Sequence, residues 1–149
     1  KISMKDIADV FEIRAALEGL AAELAARRCT PEEIEALERS LVKIRECADK
    51  GDIQACIELD TTFHEQLMSA SHNDRLVQII ANLREQIQRF RSTSLAHPGR
   101  MKLAWEEHKI IVEAIAQGDT ELARRLAYEH IENAENSLME VISEQQENC

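Results

Sequence analysis

The chain has 149 residues, enough for one domain around a single core. Aromatic residues make up only 3%, and there are four glycines and two prolines, which excludes folds built on strands and tight turns. The formal net charge is −10, from 28 acidic against 18 basic residues, and nucleic-acid affinity rests on basic groups facing phosphates, so the chain is not expected to bind a polyanion unaided.

Abundant Ala, Leu, Glu, Arg, Ile and Gln predict an all-α fold, an antiparallel bundle of about six helices. No run approaches the roughly 18 to 20 apolar residues of a membrane span, so no membrane partner is expected. The four cysteines, Cys29, Cys47, Cys56 and Cys149, form no C-x-x-C pair and read as reduced thiols of a cytoplasmic protein. The chain opens at Lys1 without a signal peptide, and its first residues read as the middle of something longer, so a fragment is expected.

In chain order, the first predicted helix runs from about Asp6 to Arg28, with an apolar stripe of Val10, Ile13, Leu17, Leu20 and Leu24. Arg14 falls on that side, an odd place for a guanidinium. Thr30-Pro31-Glu32-Glu33 is a helix start: an N-cap, a proline at the first position and a glutamate at the third. The second helix carries Ile34, Leu37, Leu41 and Ile44 to about Lys50, where Gly51 stops it and Asp52 caps the third. The third runs to about Ala70, with Leu59, Phe63 and Leu67 inward, and Ser71-His72-Asn73-Asp74 is turn chemistry.

The fourth helix follows, with Leu76, Ile79, Ile80, Leu83, Ile87 and Phe90 inward and Arg84, Gln88 and Arg91 as a polar stripe beside them. Residues from Ser92 to Arg100 are expected to be irregular. The fifth helix covers roughly Met101 to Gln117, with Trp105, His108, Ile111, Val112 and Ile115 inward. Gly118-Asp119-Thr120 is a stop and a cap, and the sixth helix runs to about Ser143 with Ala123, Ala127, His130, Ala134 and Val141 on one side.

Asp60 and His64 lie four apart beside the stripe of the third helix, so a carboxylate and an imidazole point together towards the core. Burying both costs free energy unless something binds them. His108 lies ten residues before the turn at Gly118 and His130 twelve after it, roughly 15 and 18 Å along the two arms and nearly level. One carboxylate and three imidazoles make a first shell for a divalent ion such as zinc, nickel, manganese or iron. An open position on such an ion takes a small carboxylate, and Arg14 suits its far end.

Plainer readings stand beside this one. Each histidine can be a satisfied core residue, Asp60 and His64 can form a mere hydrogen-bonded couple, and Arg14 can pair with a glutamate across the bundle. His72 and His97 fall in turns and are expected in solvent.

Several runs taken together resemble a known family. They are Asp9-Val10-Phe11-Glu12-Ile13-Arg14-Ala15-Ala16-Leu17-Glu18, Asp60-Thr61-Thr62-Phe63-His64, Trp105-Glu106-Glu107-His108-Lys109-Ile110, Ala114-Ile115-Ala116-Gln117-Gly118-Asp119 and Tyr128-Glu129-His130-Ile131. The set resembles the effector domain of GntR-type regulators of the FadR subfamily, called the FCD domain, from about Asp6 to Ile142. The resemblance implies a bacterial transcription factor whose helical bundle binds an organic acid or sugar acid. It implies that Asp60, His64, His108 and His130 hold a divalent metal and that Arg14 lies near the effector. From their facing, and not from the resemblance, Arg84, Gln88 and Asn133 are polar groups beside the core that would either complete the pocket or lie on a solvated face or in interhelical hydrogen bonds.

The same resemblance implies a homodimer and a winged helix-turn-helix that reads operator DNA. No basic recognition helix precedes Asp6, so this chain is expected to sense rather than bind DNA alone. Two rivals remain, a metal-dependent hydrolase and a metal-free helical interaction module. Against the hydrolase, the chain offers no well-placed general base. Glu65 and Glu107 neighbour His64 and His108 in sequence and so point about 100° away from them on a helix.

Overall fold

The computed structural model describes residues 3–147, so Cys149 lies outside the described residues. Among the described residues seven helices make up the bundle: α1 (Met4–Arg28), α2 (Pro31–Lys50), α3 (Ile53–Ala70), α4 (Asp74–Ala81), α5 (Arg84–Leu95), α6 (Arg100–Ala116) and α7 (Thr120–Glu147). No described helix is long and apolar enough to cross a membrane.

Local chemistry sets most boundaries. The Thr30 hydroxyl accepts from the Glu33 amide while the Glu33 carboxylate accepts from the Thr30 amide, closing a capping box on α2. Gly51, at φ 72°, ends α2 in a left-handed turn that a side chain would strain, and Asp52 caps α3. Asp119 Oδ1 accepts from the Leu122 amide at the start of α7.

The expected fourth helix is two. Its hydrogen-bond ladder breaks at Asn82 and Leu83, without glycine or proline, and resumes as α5. Ile79, which one continuous helix was expected to bury, is 50% exposed. The stretch expected to be irregular is helical as far as Leu95. There Ser92 and Thr93 donate to carbonyls one turn back, and the Ser94 hydroxyl donates to Ala134 O on α7 at 2.9 Å.

Helices α2 and α3 form one antiparallel hairpin and α6 and α7 another, and α1 lies along α7 as the most extensive helix pair. A Cβ on Gly19 would stand 3.3 Å from Arg124 O, so this glycine lets the two backbones approach. The buried face of α1 differs from the expected stripe. Ile13 and Leu20 are exposed, while Ile7, Phe11, Arg14, Ala15, Glu18, Ala22 and Ala25 face inward. The main apolar cluster joins α1, α2, α3, α6 and α7 through residues such as Leu37, Ile44, Phe63, Leu67, Ile111 and Ile115. A smaller one around Phe11, Phe90, Ile131 and Leu138 lies at the other end of α1 and α7. Between these two clusters the bundle is filled with charged side chains.

Candidate metal centre

Asp60 and His64 stand one turn apart on α3, and α6 and α7 supply His108 and His130 from opposite sides of their hairpin. All four are buried, and His108 is fully so. His108 Nε2 lies 3.1 Å from His130 Nε2 and 3.4 Å from Asp60 Oδ1, and His64 Nε2 lies 3.6 Å from Asp60 Oδ2. One ring nitrogen from each histidine falls within 4.8 Å of the others. The matched heights counted from Gly118 therefore correspond to a real juxtaposition.

These separations bear on what the cluster can hold. Donors 2.0–2.1 Å from an ion, at angles between octahedral and tetrahedral, stand about 2.8–3.4 Å apart. Asp60 Oδ1 is buried and accepts no hydrogen bond, an expensive condition for a carboxylate oxygen facing imidazole nitrogens. A divalent cation would satisfy it. Burial, and then the neighbouring His130 and His64 and the guanidiniums of Arg100 and Arg91, hold the His108 imidazole well below its usual value and so neutral, as a ligand must be. Burial likewise lowers His130. The residues present fit a divalent ion.

Two glutamates absent from the expected site complete it. Glu18 Oε1 lies 2.6 Å from His64 Nδ1, and Glu18 Oε2 accepts from Arg14 Nε at 2.5 Å. Glu107 Oε1 lies 2.6 Å from His130 Nδ1, and Arg100 grips both Glu107 oxygens at 2.6 and 3.0 Å. Burial pushes both carboxyls up, yet the arginines and histidines outweigh it. They hold Glu18 far below the usual carboxylate range and Glu107 at about 2. Glu107 does turn away from its neighbour His108, as helix geometry requires, and in doing so meets His130 across the hairpin. The spacing of Arg14 and Glu18, four apart on one face, was a sequence signal for the first of these contacts.

Arg91 is also buried. Its Nε lies 2.9 Å from Asp60 Oδ2 as an ion pair whose N–H does not point along the contact. Its Nη1 donates to Thr61 Oγ1 at 2.8 Å and Gln88 Oε1 at 3.1 Å. Burial and the nearby Arg14 lower the Arg91 value, with Asp60 and Glu18 opposing them.

An inner cavity beside the imidazoles touches Arg14, Asp60, His64, Arg91, Arg100 and His130 and leaves about 20 Å³ to the centre of a water-sized sphere. That is room for about one water-sized occupant. A larger outer cavity, about 130 Å³ on the same measure, lies between α3, α4 and α5 and reaches in to Glu18, His64 and Arg91.

The other expected pocket residues fall as follows. Arg14 lines the inner cavity, whereas Gln88 and the exposed Arg84 line the outer one. Asn133 lines neither and donates to Glu107 Oε2 at 3.0 Å. His72 is exposed as expected, but His97 is partly buried, with Nε2 2.9 Å from Glu140 Oε2. The described cysteines, Cys29, Cys47 and Cys56, are unpaired thiols.

A helical bundle that buries imidazoles, carboxylates and guanidiniums around a small central cavity has the architecture of a ligand sensor. The chain belongs to the FCD domain family, whose model matches residues 9–133. It is 28% identical over 148 residues to the HTH-type transcriptional regulator YdhC of Bacillus subtilis, covering 99% of this chain and 66% of that protein. It is 31% identical over 134 residues to a probable D-xylose utilization operon transcriptional repressor of Paenarthrobacter nicotinovorans, covering 88% and 57%. Among solved structures it resembles Escherichia coli McbR/YncC with a TM-score of 0.85 at 20% identity, over 94% of this chain and 71% of that one, a likeness of fold. The chain therefore spans roughly two thirds or less of the curated relatives it matches. Those relatives carry the names of transcriptional regulators and not of enzymes.

Proposed function

We propose that residues 1–149 form one sensing domain in which Asp60, His64, His108 and His130 hold a divalent ion, and that a small organic acid or sugar acid binds to it. The observation that carries this reading is the buried, donorless Asp60 Oδ1 beside the ring nitrogen of His108, which in turn faces that of His130. Zinc, nickel, manganese and iron all accept such a donor set, and the ion's charge would attract a carboxylate.

Arg14, whose Nε is committed to Glu18, offers its remaining donors to that carboxylate at the wall of the inner cavity. The space there is too small for the acid as it stands, so its arrival displaces side chains of α1 or α5. Displacing them gives the effector a different affinity for two arrangements of the bundle, which a switch requires. Arg84 and Gln88, on the outer cavity, would meet an acid only if it extended outward past Glu18 and Arg91. Asn133 would act through Glu107 alone.

In the whole regulator, the shift of the bundle would alter the spacing of winged-helix DNA-binding domains paired in a cytoplasmic homodimer. Elemental analysis of untagged protein purified without chelator tests the ion. About one divalent ion per chain is expected, and much less in Asp60→Ala and His108→Ala. No uptake even after incubation with zinc, nickel or manganese sinks the reading. Carboxylates that bind should raise Tm only in the metal-loaded protein.

A further inference from the structure

The two contacts that sequence did not single out share one pattern. Arg14 holds Glu18, which holds His64 Nδ1; Arg100 holds Glu107, which holds His130 Nδ1. His108 has no such partner, and its Nδ1 is buried without a hydrogen bond against the stacked ring of Phe63, 4.2 Å between centroids.

A carboxylate clamped by a guanidinium is ionised and can only accept, so the ring nitrogen facing it carries the hydrogen. A neutral imidazole has one N–H. With the hydrogen on Nδ1, the Nε2 atoms of His64 and His130 are bare lone pairs. Arg100 Nη2 also approaches His130 Nδ1, at 3.4 Å, but the Glu107 contact is 0.8 Å shorter, 3.4 less 2.6, and decides the tautomer.

We infer that Glu18 and Glu107 are positioning residues that lock His64 and His130 as Nδ1–H tautomers, presetting two of the three imidazoles for the ion while His108 must move its own proton. Without an ion, His108 Nε2 faces the His130 Nε2 lone pair at 3.1 Å and Asp60 Oδ1 at 3.4 Å. A hydrogen on His108 Nε2 is donated to the nearer of them, His130 Nε2, and leaves Asp60 Oδ1 without a donor. To ligate through Nε2, His108 transfers that hydrogen to Nδ1, where no acceptor waits. The third ligand is therefore the reluctant one. Outer carboxylates of this kind orient imidazole ligands and raise their basicity, and their loss commonly costs 10–100-fold in metal affinity.

The inference rests on the metal reading proposed above, and the test separates the two. Long-range ¹H–¹⁵N spectra of histidine-labelled, metal-free protein read each tautomer directly, and a chromophoric chelator in competition reads zinc affinity. Expected are Nδ1–H for His64 and His130, Nε2–H for His108, and a switch of His108 alone when zinc is added. Glu107→Gln should bind zinc about 10–100-fold more weakly with an unchanged far-UV spectrum, whereas the solvent-facing Glu106→Gln should match the parent. Glu18→Gln should act the same way through His64.

Nε2–H at His64 or His130 in the parent overturns the inference, and that readout stands even if neither variant folds. Equal zinc affinity in a folded Glu107→Gln also overturns it and leaves the metal site intact. A parent that takes up no zinc removes the metal reading and this inference with it.

Discussion

Four helices, α1, α3, α6 and α7, each cross from one kind of interior to another within one or two turns. On α1, Arg14 and Glu18 give way to Ala22 and Ala25; on α3, His64 gives way to Leu67. On α6, His108 is followed by Ile111 and Ile115, and on α7 His130 is preceded by Ala123 and Ala127. The apolar region needs no occupant, because removing its surface from water stabilises the fold whatever else is present. The polar region is satisfied only in part by its own contacts, and Asp60 Oδ1, His108 Nδ1, Arg91 Nε and Arg100 Nε are the remainder. Stability and chemistry thus sit side by side on the same helices. The apolar turns hold the polar ones at distances they would not choose unaided.

Substitutions in the two regions should therefore fail differently. The largest effect expected is from Glu18→Ala, which leaves Arg14 buried and unpaired beside Arg91 and should cost about 3–5 kcal/mol in urea unfolding with chelator present. An unfolding midpoint close to the parent's would mean that the polar region stands without its carboxylate. Leu67→Ala, in the apolar region, should cost about 2–5 kcal/mol but still gain as much Tm from saturating metal as the parent. His108→Ala should gain none. A Leu67→Ala protein that no longer responds to metal would erase the distinction between the regions.

Acid sharpens the same contrast. His108 and His130 have lowered values when folded, so the unfolded chain takes up protons near pH 6.5 that the folded chain refuses. Stability of the metal-free protein should be level above about pH 7.5 and fall below about 6.5, by up to about 1.4 kcal/mol per pH unit for each group. The depressed Glu18 and Glu107 add stability above about pH 4.5 that is lost as the pH falls further. Melting curves between pH 8 and 5 measure the histidine part and curves carried on to pH 3 the carboxylate part, and His108→Gln should flatten the slope of the first. The smallest effect, about 1 kcal/mol, is expected for Gly51→Ala at the left-handed end of α2, with zinc affinity unmoved.

Much of this arrangement is legible in the residues, and the exceptions have physical causes. Thr30, Pro31, Glu33, Gly51, Asp52 and Gly118 each act on their own backbone neighbourhood, so the boundaries they set could be read locally. The break at Asn82–Leu83 carries no such residue, and the apolar spacing runs on through Leu83 and Ile87. Ser92 and Thr93 look like loop residues until their hydroxyls find carbonyls one turn back. Asp60, His64, His108 and His130 stood out because their side chains lie on or beside apolar stripes. Glu107 did not, because its part lies across a hairpin, and Arg100 did not, because its partner is seven residues away. The stripe on α1 was misplaced for a related reason: the face that is buried includes a guanidinium and a carboxylate, and apolar counting passes over both.

Trp105 is the only tryptophan in the chain and sits one turn before His108 on α6. Its indole N–H donates to Leu41 O on α2 at 2.9 Å, and Arg45 and Lys109 lie over its ring at 5.0 and 5.7 Å. The molecule therefore carries one indole fluorophore, which can be excited apart from Tyr128 at the red edge of its absorption, lodged in the seam between α2 and the helix that bears a proposed ligand. Any occupant of the centre that slides or tilts α6 will alter that hydrogen bond and the nearby charges, and so change the colour or yield of the emission. An unlabelled cuvette titration can follow occupancy as it happens.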